Sequence, residues 1–200
     1  LGVKPAAIFI KIRNTADDWA VWTKAASTST LRLNSTGAQY DAKYSSFFNS
    51  TQPDTSVITL GSDNQVNGNG NSYLMFCWAE VQGYSKFGKY FGNSDTDGAF
   101  IYTGFKPAWV VIKRLDSTED WGMMDNKRSS SNGNNVIDRF LYANNNNNEA
   151  TTQTPIDLYS NGFKCRNTDG KFNANGGTYS YMAFAENPFV GGDSVPTTAK

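Results

Sequence analysis

The stretch FKPAWVVIKR, residues 105–114, nearly repeats VKPAAIFIKIR, residues 3–13. The agreement continues beyond both stretches at a constant spacing of 102 residues, which also separates Trp19 from Trp121. In each copy a proline precedes an unbroken apolar run, as suits the first residue of a strand. A run that is apolar at successive positions predicts a central strand buried on both faces. The chain is therefore predicted to contain the same buried strand twice.

The closing segments of the two copies match as well. NGNGNSYLMFCWAE, residues 67–80, aligns with NANGGTYSYMAFAE, residues 173–186, at a spacing of 106 residues. The second copy is therefore about four residues longer in its middle. The Asn-rich stretch 144–150 is the expected site of this insertion, because loops absorb extra length at little cost.

The repeat predicts how the chain is organised. The predicted units are a first β-sandwich repeat over 1–83, a second over 84–192 and a C-terminal tail over 193–200. Strands are expected near residues 85–90 and 99–103, at the start of the second unit. Their counterparts in the first unit would precede Leu1, so we expect the sequence to come from a longer parent chain.

Short apolar runs separated by turn residues indicate an all-β fold. Ser160-Asn161-Gly162 is a hairpin-turn signal inside residues 156–165, a strand-forming segment that aligns with residues 57–62 of the first copy. No stretch shows a sustained helical period with caps. The predicted fold is a tandem of antiparallel β-sandwich units of the jelly-roll type. Two packed sandwiches and one large jelly roll of two half-repeats both remain open.

Composition excludes several classes of function. Lys plus Arg and Asp plus Glu are both 18, so the net charge is zero and no nucleic-acid partner is expected. No apolar run is long enough to cross a bilayer as a helix, so no membrane insertion is expected. The absence of histidine removes Ser-His-Asp and Cys-His catalysis and the commonest zinc ligand. We expect no catalytic residue, no metal and no cofactor.

Long phrases in both halves resemble a protein family of tailed phages, especially phages of marine bacteria. The phrases are YTGFKPAWVVIKR, DSTEDW, DNKR, LYSNGFK and YMAFAENPF in the second half, and VKPAAIFIK, NTADDWAV, VNGNGNSY and AEVQGYSKFGKY in the first. The resemblance covers nearly the whole chain, with the phrases in order. It implies a virion-associated protein with concanavalin-like β-sandwich domains, which lie on phage tail fibres, tail tips or capsid surfaces.

On this resemblance we expect a structural protein of the phage virion, from a tail fibre or another exposed appendage, that binds a host receptor or surface glycan. Its expected partners are other virion subunits, with the chain as a homo-oligomer. A capsid decoration or purely architectural protein without a ligand remains open, as does a glycan-degrading fibre enzyme. Catalysis is disfavoured because Asp17-Asp18 and Glu119-Asp120 recur before the same strand in both copies, which favours a turn role.

Four residues are candidates for binding a ligand. Trp22 and Trp109 have counterparts in the other copy that are not tryptophan, so a function could require them in one copy alone. Ordinary core packing is the alternative for both. Asp95 and Asp97 alternate with polar residues before Gly98, as in a calcium loop, but the distal glutamate of such loops is missing. A plain turn is the alternative there.

Overall fold

A computed structural model describes residues 2–129 and 136–188. The predicted tail, 193–200, and the end of the predicted second unit lie outside the described residues. The elements of the first half are β1 (Ala7–Ile12), β2 (Ala20–Thr23), β3 (Leu31–Arg32), α1 (Ala42–Phe48), α2 (Asn64–Asn67) and β4 (Tyr73–Trp78). Those of the second half are β5 (Ser85–Phe91), β6 (Phe100–Tyr102), β7 (Pro107–Arg114), β8 (Gly122–Asp125), β9 (Val136–Ile137), β10 (Leu141–Tyr142), β11 (Ile156–Tyr159), β12 (Gly162–Cys165), α3 (Gly170–Asn173) and β13 (Thr178–Ala185).

In the described part of the chain the strands form three antiparallel sheets. The first sheet has the order β3-β2-β1-β4, the central sheet β10-β8-β7-β13-β5 and the outer sheet β6-β12-β11-β9. All-β character is confirmed, although three short helices were not expected. Within the described residues, no helix has the length and apolarity needed to cross a membrane.

The first sheet and four strands of the central sheet share one plan. β1 lies between β2 and β4, as β7 lies between β8 and β13. The registers agree residue by residue, since Ile10 pairs with Met75 and its counterpart Ile112 pairs with Tyr181. The sequence repeat is therefore also a repeat of strand pairing.

The sheets stack in layers, which explains why β1 and β7 are apolar on both faces. Phe9 and Val21 of the first sheet join Val111 and Met182 of the central sheet in one buried cluster. The opposite face of the central sheet packs against the outer sheet in a second cluster, which contains Phe163. Each of these strands thus lies between two apolar layers, and burying both faces requires apolar side chains at successive positions.

The outer layer of the first half is helical, in contrast to the strands expected there. Tyr44, Phe47 and Phe48 of α1 are buried against Ile8 and other residues of the first sheet. Their spacing of three and four residues places them on one side of a helix. Residues 57–62, aligned with a strand pair of the second half, form no strand. A seven-residue helix is too short to give the sustained period by which helices are found in a sequence.

A tyrosine in each half ties a one-turn helix to the strand that follows it. The Tyr73 hydroxyl donates to the Asn64 carbonyl at 2.7 Å and accepts from the Gly68 amide at 2.6 Å. The Tyr179 hydroxyl makes the equivalent bonds to Gly170 and Ala174, both at 2.7 Å. The duplication thus extends beyond the strands to the hydrogen bonds of the connecting loops.

Candidate functional site

The outer sheet presents aromatic side chains to solvent. Phe100 and Tyr102 of β6 are 47% and 65% exposed, and Tyr159 of β11 is 36% exposed. Their strand neighbours Ile101 and Leu158 point the other way and are buried in the core. Because successive side chains of a strand face opposite sides, the three aromatic residues share the face that points away from the core.

A glycine on the strand between them leaves room for these rings. Gly162 of β12 pairs with Tyr102 on one side and with Tyr159 on the other. A Cβ at Gly162 would lie 2.9 Å from the Phe100 ring and 2.2 Å from the Ile101 carbonyl oxygen. Phe100 and Tyr159 approach edge to face, with ring centroids 5.9 Å apart. The exposed rings of Phe100, Tyr102 and Tyr159, on β6 and β11 with Gly162 of β12 between these strands, are here called the aromatic face.

Four charged groups border the aromatic face. Lys164 and Arg166 both reach the Asp97 carboxylate, at 2.6 and 3.2 Å. Arg166 also pairs with Asp157 at 3.0 Å. The hydrogen bond from Lys164 and its charge lower the pKa of Asp97. Burial raises the pKa of Asp157 against the pull of Arg166. Both carboxylates pair with cations, so ionised acceptor oxygens and donor groups lie together at the border of the aromatic face.

A polar cleft of about 350 Å³ adjoins the aromatic face. Tyr102 belongs to both, because it also lines the cleft. The remaining lining residues are Glu80, Gln82, Gly83, Ser85, Lys86, Thr103 and Gly104. Burial alone would raise the pKa of Glu80, but Lys24 and the Phe87 amide outweigh it and lower that pKa below its usual value. The cleft therefore contains a fixed carboxylate next to an exposed tyrosine.

These features together favour binding of a polar molecule with flat apolar patches. Exposed tyrosine and phenylalanine rings offer an apolar surface, and the tyrosine hydroxyl adds a hydrogen-bonding group. The charged groups provide donors and acceptors at the edge of that surface. A sugar ring has this composition, with C–H groups on its faces and hydroxyls at its edge.

Trp22 and Trp109, proposed from the sequence, do not lie on the aromatic face. Trp22 is 1% exposed, and its indole N–H already donates to the Ser27 carbonyl at 2.7 Å. It packs in the core between the first sheet and α1, which agrees with the packing alternative for Trp22. Trp109 is half-buried against Phe184 in the cluster between the first and central sheets.

Asp95 and Asp97 form a turn, and the structure brings Asp97 alone to the aromatic face. The Asp95 carboxylate accepts the Asp97 amide at 2.8 Å, and the Asn93 side chain accepts the Asp95 amide at 3.1 Å. Such side-chain bonds two residues along are typical of Asx turns. In residues 2–129 and 136–188, no group of three or more acidic or cysteine side chains is placed to hold a metal ion.

The second carboxylate of each pair before the second strand, Asp18 or Asp120, links two loops of its half. Asn34 donates to Asp18 at 2.8 Å, and Asn144 donates to Asp120 at the same distance. The two asparagine oxygens accept the amides of Trp19 and Trp121. Asp18 and Asp120 thus make equivalent bonds to asparagines 16 and 24 residues further along the chain, which gives both a structural role between loops.

Phe100, Tyr102 and Tyr159 are not among the candidates that the sequence predicts. A signal was present, because aromatic residues alternate with Ile101 in β6 and Tyr159 directly precedes a hairpin turn. Alternation shows that a strand has two unlike faces, but it does not show which face is covered. Which face of β6 and β11 is exposed depends on the position of the outer sheet in the stack, and only the structure reveals this position.

The chain matches one sequence-family model over most of its length. It belongs to a family described as a domain of unknown function, DUF7483. The match covers residues 1–188, and therefore both halves. No protein with a curated description and no solved structure matches the chain. The description of DUF7483 assigns no activity.

Proposed function

We propose that this DUF7483 chain is a structural protein of a phage virion, from a tail fibre or another exposed appendage, that binds host surface glycans. The single observation that carries the binding role is the aromatic face, with three exposed rings bordered by fixed charges. The phage setting is supported by the sequence phrases found in both halves. In this proposal the layered sheets are tandem concanavalin-like β-sandwich units, and other virion subunits are the partners.

The aromatic face supplies both kinds of contact that a sugar requires. Tyr102 is the most exposed ring, at 65%, and lies where the aromatic face meets the polar cleft. A sugar stacked on Tyr102 would reach Glu80 and Lys86 on the cleft side. Its far end would meet Phe100 and the Asp97–Lys164 pair. The structure therefore offers one surface on which an extended oligosaccharide could lie.

Weak binding at one site is compatible with strong attachment in a virion. An appendage that displays several copies binds with an effective concentration set by their spacing, so its avidity exceeds the affinity of each site by orders of magnitude. The proposal therefore places the chain in a homo-oligomer at the virion surface.

A glycan array and isolated host cell envelopes test this function directly. We expect Tyr102→Ala to weaken binding by about tenfold or more, because it removes the most exposed ring of the aromatic face, the one that also lines the cleft. Phe91→Ala is the matched control, since Phe91 is 60% exposed on β5, outside the aromatic face, and its removal should leave binding unchanged.

Three results would contradict the proposal. Equal binding by the wild type and Tyr102→Ala would move any glycan site away from the aromatic face. Binding by no glycan and no envelope would favour an architectural protein without a ligand. Release of new reducing ends from host polysaccharide would indicate a glycan-degrading enzyme.

A further inference from the structure

Within residues 2–129 and 136–188, no strand pairs with the outer edge of β4. β4 ends the first sheet, and in the described part of the chain β1 is its only strand partner. Its counterpart β13 is paired on both sides, with β7 and with β5. One strand position is thus filled in the central sheet and vacant in the first.

The residues of β4 lack the usual protection of an edge strand. Leu74, Met75 and Phe76 are successive in sequence and are 45%, 37% and 40% exposed. The strand Tyr73–Trp78 contains no charged residue and no proline. Edge strands of monomers normally carry charges, prolines or bulges that prevent another strand from pairing with them. β4 therefore has the composition of a strand that is covered.

The second half of the chain shows what covers an equivalent strand. Tyr90 of β5 stacks on Tyr179 of the neighbouring strand β13, with ring centroids 4.9 Å apart and an angle of 12° between the ring planes. Gly88 lies beneath the Tyr181 ring, where a Cβ would be 2.9 Å from the nearest ring atom. β5 thus combines aromatic residues for both faces of the sheet with a glycine where the partner side chain is large.

The same pattern can be transferred to β4 position by position. The counterparts of Tyr179, Tyr181 and Met182 are Tyr73, Met75 and Phe76, from the common spacing of 106 residues. A strand of the β5 pattern would place a tyrosine on Tyr73 and a glycine opposite Met75. A phenylalanine would lie opposite Phe76, as Phe87 lies opposite Met182.

We infer that the outer edge of β4 accepts an antiparallel strand with the aromatic–Gly–x–aromatic pattern of β5, supplied by another repeat unit of this family. The added strand completes the first sheet as β5 completes the central one. Main-chain hydrogen bonds provide affinity and the alternate aromatic pockets provide specificity, as in other cases of strand addition.

Pairing of β4 with the existing edge strands of a second copy fits less well. The Phe87 amide on β5 donates to the Glu80 carboxylate at 3.1 Å, so the outer edge of β5 is partly occupied. A two-fold pairing of β4 with β4 would set large side chains such as Met75 against each other without a glycine. A separate strand with the β5 pattern would place aromatic side chains on both faces of the first sheet and a glycine opposite Met75.

The probe for this inference is a fluorescent peptide with the sequence YSKFGKYFG, residues 84–92. We expect saturable binding to the wild-type protein, read by anisotropy, and protection of the β4 amides in hydrogen exchange. Phe76→Lys should weaken binding at least about tenfold, because it puts a charge where the peptide phenylalanine packs. Phe91→Lys, at an exposed position of the other edge strand, is the matched control and should bind normally.

A second peptide tests the register. The change Gly88→Val in the peptide should abolish binding, because the side chain would collide with Met75, whereas Lys89→Ala should have little effect. Thermal unfolding of each protein variant shows that the fold is retained.

Two outcomes would overturn the inference. One is a lack of saturable binding with the β4 amides left unprotected. The other is protection of those amides without peptide, together with a concentration-dependent dimer that Phe76→Lys dissociates, because a second copy would then be the occupant.

Discussion

The two halves of the molecule use one sheet plan under different coverings. The first sheet is covered on its outside by α1 and α2, with Phe47 and Phe48 in the core between them. The central sheet is covered by the outer sheet, with Phe163 and Ile156 in that core. The repeated strands keep the same order and register in both halves. The duplicated unit is therefore the sheet with the hydrogen bonds of its connecting loops, whereas the layer that covers it varies.

This difference also locates the candidate function. The aromatic face belongs to the outer sheet, and α1 occupies the corresponding position in the first half. A site on the covering layer can exist in one copy without disturbing the sheet that both copies share. This agrees with the general rule that a rigid scaffold carries function on its variable parts.

Equivalent tryptophans give the strongest test of this comparison. Trp121 is 1% exposed between the two sheets and donates to the Arg32 carbonyl at 3.1 Å. Trp19 is half-buried and stacks on Phe76 with ring centroids 6.3 Å apart. We expect Trp121→Ala to lower the free energy of unfolding by about 3–5 kcal/mol and Trp19→Ala by about half as much.

Denaturant unfolding of both variants measures the difference. Equal losses would show that the two halves contribute equally to the shared core, against the asymmetry in burial.

The sequence predicts the repeated part of the fold well. An apolar run without alternation indicates that β1 and β7 are buried on both faces, and the structure confirms this for both strands. Ser160-Asn161 connects β11 to β12, as the turn signal predicts. These features are local or are present in both copies, so the sequence alone contains enough information to find them.

The covering layers and the exposed faces could not be predicted in the same way. α1 presents only three buried aromatic residues over two turns, which is too little to distinguish a short helix from a strand. Trp22 differs from its counterpart because it fills the space beside α1, so its difference reflects packing. The exposure of Tyr102 depends on which sheet is outermost, and this follows from long-range packing.

The tyrosine that bridges helix and strand gives a smaller test of the same comparison. Tyr179 is fully buried, so Tyr179→Phe leaves the Ala174 amide and the Gly170 carbonyl without their partner. Tyr73 makes the same bonds at a more exposed site, where water can replace the hydroxyl. We expect a loss of about 2 kcal/mol for Tyr179→Phe and about 1 kcal/mol for Tyr73→Phe in thermal unfolding.

A larger loss in the free energy of unfolding for Tyr73→Phe than for Tyr179→Phe would contradict this expectation. It would show that the tyrosine bonds of the second half are not the ones more shielded from water. The ratio of the two losses, measured in one buffer, is therefore the quantity to compare.

The last expected effect concerns a lysine buried between the halves. Lys113 of β7 is fully buried and donates to the Thr36 carbonyl at 3.1 Å and to the Arg114 carbonyl at 2.8 Å. Burial lowers the pKa of Lys113 to about 8, although nearby carboxylates such as Glu119 oppose the change. Its counterpart Lys11 is half-buried on β1 and donates to the Ile12 carbonyl at 2.7 Å.

The sign of the pH dependence follows from proton binding. Between pH 8 and the ordinary lysine pKa of about 10.5, the unfolded chain binds more protons at Lys113 than the folded chain, so stability rises with pH. We expect the free energy of unfolding to rise by about 1 kcal/mol between pH 7.5 and pH 9. Above pH 9 the effect is offset, because burial raises the pKa of Cys165 to about 11 and unfolding then releases its proton.

Lys113→Met isolates this contribution, and Lys11→Met is the matched control. Unfolding in urea at pH 7.5 and pH 9 should show the rise in the wild type and in Lys11→Met but not in Lys113→Met. A rise that persists in Lys113→Met would assign the titration to another group and would place a neutral or solvated lysine between the sheets. Loss of the rise in Lys113→Met alone would assign the titration to Lys113. The lysines of β1 and β7 would then differ chiefly because β7 lies at the centre of the stack of sheets.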